Sequence, residues 1–225
     1  MDIKAVIFDM DGVITSSSDQ HFSAWKSLAS GLGFELPDET ERLLKGVSRM
    51  DSLEVVLRQG KVQNNFTQEE KKLLAEKKNK LYVEMISKFT PDDLLPGVLE
   101  LFEACKHADI KIALASVSKN SPLLISRLNI GQYFDYIVDP QDIKNGKPAP
   151  DIFLKAAAAL GVNTKYCVGI EDAAAGIAAI KSAGMVAVGI GSKDELSRAD
   201  IIYRDCSEVD LSAVNELLCK KQSFT

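Results

Sequence analysis

No two of the four cysteines form a CxxC pair: Cys105, Cys167, Cys206 and Cys219 are widely and irregularly spaced. That argues against a zinc site or a disulfide framework, and the four are read as reduced thiols. Basic charge is also scarce. Lysine and arginine number 27 against 32 aspartates and glutamates, for a formal net charge of -5, whereas nucleic acid or an anionic membrane as main partner would favour a basic surface. Any anion site must therefore be local. No apolar run is long enough to span a bilayer, and the N-terminus lacks a basic flank, an apolar stretch and a small-residue cleavage site. A cytoplasmic protein is expected, with a monomer as the default. Internal repeats and low-complexity tracts are missing as well. What remains is 225 residues, 46% hydrophobic and 26% charged, enough for one good core and a smaller second domain.

The most informative stretch is Lys4-Ala5-Val6-Ile7-Phe8-Asp9-Met10-Asp11-Gly12-Val13. Its first half is a short apolar run rich in β-branched and aromatic residues, which predicts a strand buried on both faces. Two carboxylates then follow at i and i+2, where the strand would leave the sheet and where ligands bind in open α/β folds. An extended backbone points both the same way, so they crowd each other unless a cation or proton intervenes. One suits attack on a phosphoryl group beside a magnesium ion, the other proton transfer. The plainer alternative is a pair of loop carboxylates, one capping a turn with Gly12.

Beyond Asp11 the pattern turns helical. Ser16-Ser17-Ser18 offers capping hydroxyls to a helix carrying His21, Phe22, Trp25, Leu28 and Ala29. Further helices are expected from Pro37 to a break at Gly46, over Met50 to Gln59, and over Thr67 to Lys88 behind a capping box at Thr67-Gln68-Glu69-Glu70. No strand is expected between Ser16 and Phe89, so residues 16–92 read as a helical cap inserted into a core of 1–15 and 93–225, with Thr90-Pro91-Asp92-Asp93 as the return crossing. Strands over Ile110–Ala115, Tyr136–Val138, Cys167–Ile170, Val186–Ile190 and Ile201–Tyr203 then alternate with helices. That predicts an α/β fold with a Rossmann-like parallel sheet. Lys220 to Thr225 reads as a frayed tail.

Ser116, Lys147 and the pair Glu171-Asp172 each lie just after one of these strands, and parallel strands bring such loops to one edge with Asp9. Each type suits phosphoryl transfer. Ser116 and the N–H groups of a helix opening near Asn120 and Pro122 donate to phosphate oxygens, Lys147 neutralises charge, and Glu171 and Asp172 supply hard oxygen ligands. Singly, each has a plainer reading: a turn serine, a solvated loop lysine, an acidic pair opening a helix. Jointly, placement at four strand ends in this order points to chemistry.

The set resembles the haloacid dehalogenase superfamily of phosphotransferases. Asp9-Met10-Asp11-Gly12-Val13 is similar to its first motif, Ser116 to its second, Lys147 to its third and Glu171-Asp172 to its fourth. The resemblance implies that Asp9 becomes an aspartyl phosphate, that Asp11 is general acid and base, and that Mg2+ is held by Asp9, Asp11 (through its backbone carbonyl), Glu171 and Asp172. Longer stretches resemble the superfamily's sugar-phosphate mutases: Lys45-Gly46-Val47-Ser48-Arg49 with Asp51-Ser52-Leu53, His21-Phe22 with Ala24-Trp25-Lys26, Ala113 to Ser116 continuing through Val117, Ser118, Lys119 and Asn120, and Lys147 to Phe153. This likeness implies that β-glucose 1-phosphate and glucose 6-phosphate are interconverted through β-glucose 1,6-bisphosphate. It also implies a distal phosphate seat at Arg49 helped by Ser118, Lys119 and Asn120, a histidine at His21 meeting the acid–base aspartate, and a cap lysine at Lys78 reaching the sugar. Trp25 reads as cap packing or a substrate wall. A phosphatase acting on sugar phosphates would share every core motif. One departure stands out: Ser16 occupies a hinge position where the mutases carry aspartate.

Overall fold

A computed structural model describes residues 2–44 and 47–222. β1 (Ala5–Phe8) has every side chain buried, as an unbroken apolar run requires of a strand covered on both faces. The chain then forms α1 (Ser18–Gly31), α2 (Glu41–Leu44), α3 (Arg49–Gln59) and α4 (Gln68–Ile86). Among the described residues no strand falls between Ser18 and Ile86. Alternation follows as expected: α5 (Val98–His107), β2 (Lys111–Leu114), α6 (Ser121–Leu128), β3 (Tyr136–Ile137), α7 (Asp151–Leu160), β4 (Cys167–Glu171), α8 (Ala174–Ser182), β5 (Val186–Ile190), α9 (Lys193–Leu196), β6 (Ile201–Tyr203) and α10 (Leu211–Gln222).

All six strands are parallel, in the order β3-β2-β1-β4-β5-β6. Chain order runs outward from β1 on both sides, so the boundary between β1 and β4 is a topological switch point, where such sheets open a crevice at their carboxyl ends. Register makes this concrete. Phe8 lies level with Leu114 and Ile170, so the residues that follow each of them emerge side by side.

The four helices after β1 carry their own apolar cluster of Trp25, Leu28, Leu53, Val56, Leu57 and Ala75. The far end of α4 behaves differently, since Tyr82 and Ile86 pack into the cluster that covers the sheet. Its near end carries the expected capping box, with the Thr67 hydroxyl accepting from the Glu70 N–H at 3.3 Å and the Glu70 carboxylate from the Thr67 N–H at 2.7 Å. Outgoing and returning chains cross side by side. Thr15 pairs antiparallel with Leu94, the Leu95 N–H donates to the Ile14 carbonyl at 2.9 Å, and the Thr15 hydroxyl donates to the Asp93 carbonyl at 2.7 Å.

Most element ends differ from the sequence expectation by one or two residues. Three differences are larger: the helix expected from Pro37 opens as a 3-10 turn over Asp38–Thr40 and becomes an α-helix only at Glu41, and the other two lie late in the chain. The short α9 was not foreseen, and the expected tail is helical as far as Gln222, because Lys221 donates to the Met185 carbonyl and to Asp200 while the Gln222 amide donates to the Lys165 carbonyl. Cys105, Cys167 and Cys206 are buried free thiols, and no helix among the described residues is long and apolar enough to cross a membrane.

Candidate active site

Asp9 is the first residue beyond β1, and its N–H donates to the Ile170 carbonyl at 3.0 Å, which places it beside the end of β4. Glu171 is the last residue of that strand. Between them sits Lys147, whose Nζ donates to Asp9 Oδ1 and to Glu171 Oε1 at 2.6 Å each, with its side chain 0% exposed. The loop lysine that sequence alone left open as solvated is therefore a buried counter-ion. Two glycines make room for the acids. A Cβ on Gly12 (φ +77°) would collide with the Asp172 carboxylate, and one on Gly176 in α8 would collide with that of Glu171. The second glycine gave no signal in the sequence, where it reads as an ordinary helix residue.

Asp9, Glu171 and Asp172 each present a carboxylate oxygen, and the three lie within 4.8 Å of one another. With Asp11 nearby, four carboxylates lie at this edge of the sheet, and Lys147 bonds two of them, Asp9 and Glu171. Burial alone pulls Lys147 down, but Asp9 and Glu171 hold it well above the usual lysine range. Burial raises Glu171, Lys147 opposes this, and Asp9 adds to it. Such an excess of buried negative charge, made only of hard oxygen donors, fits a magnesium ion.

The Asp11 side chain is turned away from that group, toward Ser17, whose hydroxyl donates to it. Ser17 stands at the N-cap of α1 yet makes no capping bond. The hydroxyl expected in the serine run as a cap instead gives its proton to Asp11 in a charge-assisted bond. Ser17 also pairs with the Tyr82 hydroxyl at 2.9 Å. Burial, then the charge of Asp9, pushes Asp11 up to about 6, against the pull of Ser17, Lys147 and Lys78.

His21 faces Asp11 with Nε2 at 4.0 Å from Oδ2, beyond hydrogen-bond length. Its Nδ1 lies 2.6 Å from Lys78 Nζ, and its ring stacks on Tyr82 at 3.8 Å between centroids. Burial, then Lys78 and Arg49, holds the imidazole well below its usual pKa. A neutral ring that accepts from Lys78 at Nδ1 carries its proton on Nε2, the nitrogen facing Asp11. Lys78 itself is 1% exposed and sits over Trp25 (4.6 Å) and Tyr82 (4.9 Å). Burial, then Arg49, lowers it to about 7.

A cavity of about 360 Å³ joins these groups, within the range of small-molecule sites. Asp9, Asp11, Ser116, Val117, Ser118, Lys119 and Asp172 line it from the sheet edge, and His21, Trp25, Val47, Ser48, Arg49, Ser52 and Lys78 from the helices above. Lys147 and Glu171 lie beneath that surface. Ser116 Oγ accepts from the Ser118 N–H at 3.2 Å, which leaves its proton to give. Ser48 caps α3, accepting from the Asp51 N–H at 3.2 Å and so presenting Arg49 in the first turn. Asn120 is not in the lining; its Nδ2 donates to Asn79 Oδ1 at 2.8 Å. Lys45 and Gly46 lie outside the described residues. Sequence reasoning missed Ser17, Tyr82 and Asn79, as well as Glu76, which joins the lining near Arg49. Tyr82 was reachable, being one turn beyond Lys78 on the same helix.

A profile of haloacid dehalogenase-like hydrolases matches residues 3–184. The chain is 47% identical over 214 residues to the β-phosphoglucomutase of Bacillus subtilis, covering 95% of each chain. It is 32% identical over 185 residues to the phosphorylated carbohydrates phosphatase of Thermotoga maritima, covering 81% of this chain and 82% of that one. The crystal structure of a β-phosphoglucomutase from Clostridium difficile superimposes with a TM-score of 0.95 at 41% identity, covering 98% and 99% of the two chains.

Proposed function

The chain belongs to the haloacid dehalogenase-like hydrolase family, and from that premise we propose that it interconverts β-glucose 1-phosphate and glucose 6-phosphate, the β-phosphoglucomutase reaction. The observation that carries this reading is a single cavity with Asp9 and Ser116 on one wall and Arg49 on the other. A bisphosphate bound across it places one phosphate at the carboxylate and the other at a guanidinium, in either orientation. A phosphatase needs no second seat.

Asp9 attacks the phosphorus of β-glucose 1,6-bisphosphate, the bond from phosphorus to the sugar oxygen breaks, and that oxygen takes its proton from Asp11. Glucose 6-phosphate leaves, the 6-hydroxyl of an incoming β-glucose 1-phosphate attacks the aspartyl phosphate and gives its proton to Asp11 as the bond from phosphorus to Asp9 breaks, and the bisphosphate so formed turns round to present its 1-phosphate to Asp9. A carboxyl held at about 6 serves both directions near neutral pH. Ser116 donates to the transferring group, and Lys147 aims Asp9 through its 2.6 Å hydrogen bond and brings positive charge beside it. Magnesium, held by Asp9, Glu171 and Asp172 with the main chain of Asp11, supplies positive charge to the transferring phosphoryl group. His21, Lys78, Trp25, Ser52 and Val47 to Arg49 contact the sugar and distal phosphate from the cap of residues 16–92; Val117, Ser118 and Lys119 do so from the core of 1–15 and 93–225, with Asn120 behind them on Asn79. We take the working enzyme to be a cytoplasmic monomer with neither nucleic acid nor membrane as partner.

A magnesium-dependent assay with β-glucose 1-phosphate, primed with the bisphosphate, tests the proposal. Glucose 6-phosphate supports it, whereas inorganic phosphate alone makes the enzyme a sugar-phosphate phosphatase. Arg49→Ala is expected to raise KM for the bisphosphate roughly 10- to 100-fold, the worth of a charge-assisted bond to phosphate, while a small phosphoryl donor still labels Asp9. An unchanged KM removes Arg49 from the distal seat.

A further inference from the structure

α4 presents three neighbouring side chains to partners outside the helix. Lys78 reaches His21, Tyr82 reaches Ser17, and Asn79 accepts from Asn120 at 2.8 Å. The first two stay within the chain that leaves the hinge. The third crosses directly to the loop between β2 and α6, where Asn120 is the residue before the helix. Its place relative to the hinge matters. Val13, Ser16 and Leu95 line a second cavity with Ile190, Gly191 and Arg204, along the β5–β6 side, whereas Asn120 follows β2 on the other side of β1. Two strands crossing side by side fix an axis and leave the angle about it free. A bond away from that axis fixes the angle. Both asparagines are half-buried, so the bond is partly shielded from competing water.

We propose that Asn79 is a positioning residue: through Asn120 it holds the helical layer down over the aspartyl phosphate, and so sets how the phosphoryl group divides between sugar and water. The inference rests on the mutase reading. In both competing steps the bond from phosphorus to Asp9 oxygen breaks and one to an incoming oxygen forms, the incoming hydroxyl or water giving its proton to Asp11. The products are the sugar bisphosphate or inorganic phosphate. Asn79 touches neither reactant, so its removal changes the division by admitting water.

The test measures glucose 6-phosphate and inorganic phosphate in the same reaction, with β-glucose 1-phosphate as substrate and β-glucose 1,6-bisphosphate as primer. Asn79→Leu, with Asn79→Ala as a variant free of added bulk, is expected to lower the ratio of sugar product to phosphate roughly three- to tenfold, the range for loss of one net hydrogen bond. Asn79→Asp keeps an acceptor for Asn120 and should hold the ratio within about twofold of wild type. A merely structural role would lower the amount of active enzyme and leave the ratio unmoved. Equal ratios in wild type and Asn79→Leu, or an equal fall in Asn79→Asp, overturn the inference while the mutase reading stands. Phosphate alone from the wild type overturns both.

Discussion

Asp9→Asn is expected to lower turnover by at least about 10^4-fold, in line with removal of a nucleophile on which every later step depends. The physical reason is specific to this site. A carboxamide in that place still offers Oδ1 to Lys147, which donates to Asp9 at 2.6 Å, so the local frame holds. What disappears is the negative oxygen that attacks phosphorus. The variant should therefore fold, with a melting temperature no lower than wild type, because one of four crowded acids has been neutralised while Lys147 keeps Glu171. Binding of the bisphosphate should be retained or tightened, since a like charge facing the phosphate is gone. Intact-mass analysis after incubation with the bisphosphate provides the direct check: wild type gains one phosphoryl group and the variant gains none. Turnover within tenfold of wild type, or a phosphoryl group on the variant, would reject Asp9 as the nucleophile.

The sheet was readable because β1 and β5 are unbroken runs of buried residues without charge, and β5 and β6 fall where the apolar runs fall. The strand ends were readable for a related reason. Once strands are parallel, Asp9, Ser116, Lys147, Glu171 and Asp172 must share an edge, and four of them touch one another or one metal-sized gap. Contacts made across elements were not readable. Lys78 stands in a run with Lys71, Lys72, Lys77 and Lys80, and no local rule separates the buried Lys71 and Lys78 from the solvated ones; for Lys78 the packing of α4 on Trp25 and His21 does that. Ser17 looked like a helix cap until the fold placed a carboxylate closer. Lys221 looked like part of a loose end because its acceptors, Asp200 and the Met185 carbonyl, are distant in sequence.

Lys147→Met should have the opposite character from Asp9→Asn: it harms the fold as much as the chemistry. Asp9 and Glu171 would remain buried together with their shared ammonium removed, and breaking one partner from such a group costs about 3–5 kcal/mol. For a chain of this size that lowers the melting midpoint by about 10 °C. Turnover should fall roughly 10^2- to 10^3-fold as the charge beside the transferring group is lost. The pH dependence gives an independent check. Lys147 is held above the usual lysine range, so its contribution is complete throughout pH 5–8 and fades only in strong alkali. Asp11 and Glu171 titrate in that window instead. Both are acids raised in the folded state by burial, Asp11 to about 6. Above their ordinary values the folded protein binds more protons than the unfolded chain, so stability falls as pH rises from 5 to 8. Removing Lys147 takes away the group that lowers Glu171, so the variant should lose stability more steeply over the same interval. Magnesium should raise the midpoint of wild type and flatten its slope, since a cation among these carboxylates favours their ionised forms. Thermal melts at pH 5, 6.5 and 8, with and without magnesium, decide the matter. A variant as stable as wild type, with an unchanged slope, would mean that Lys147 does not carry the charge balance of this site.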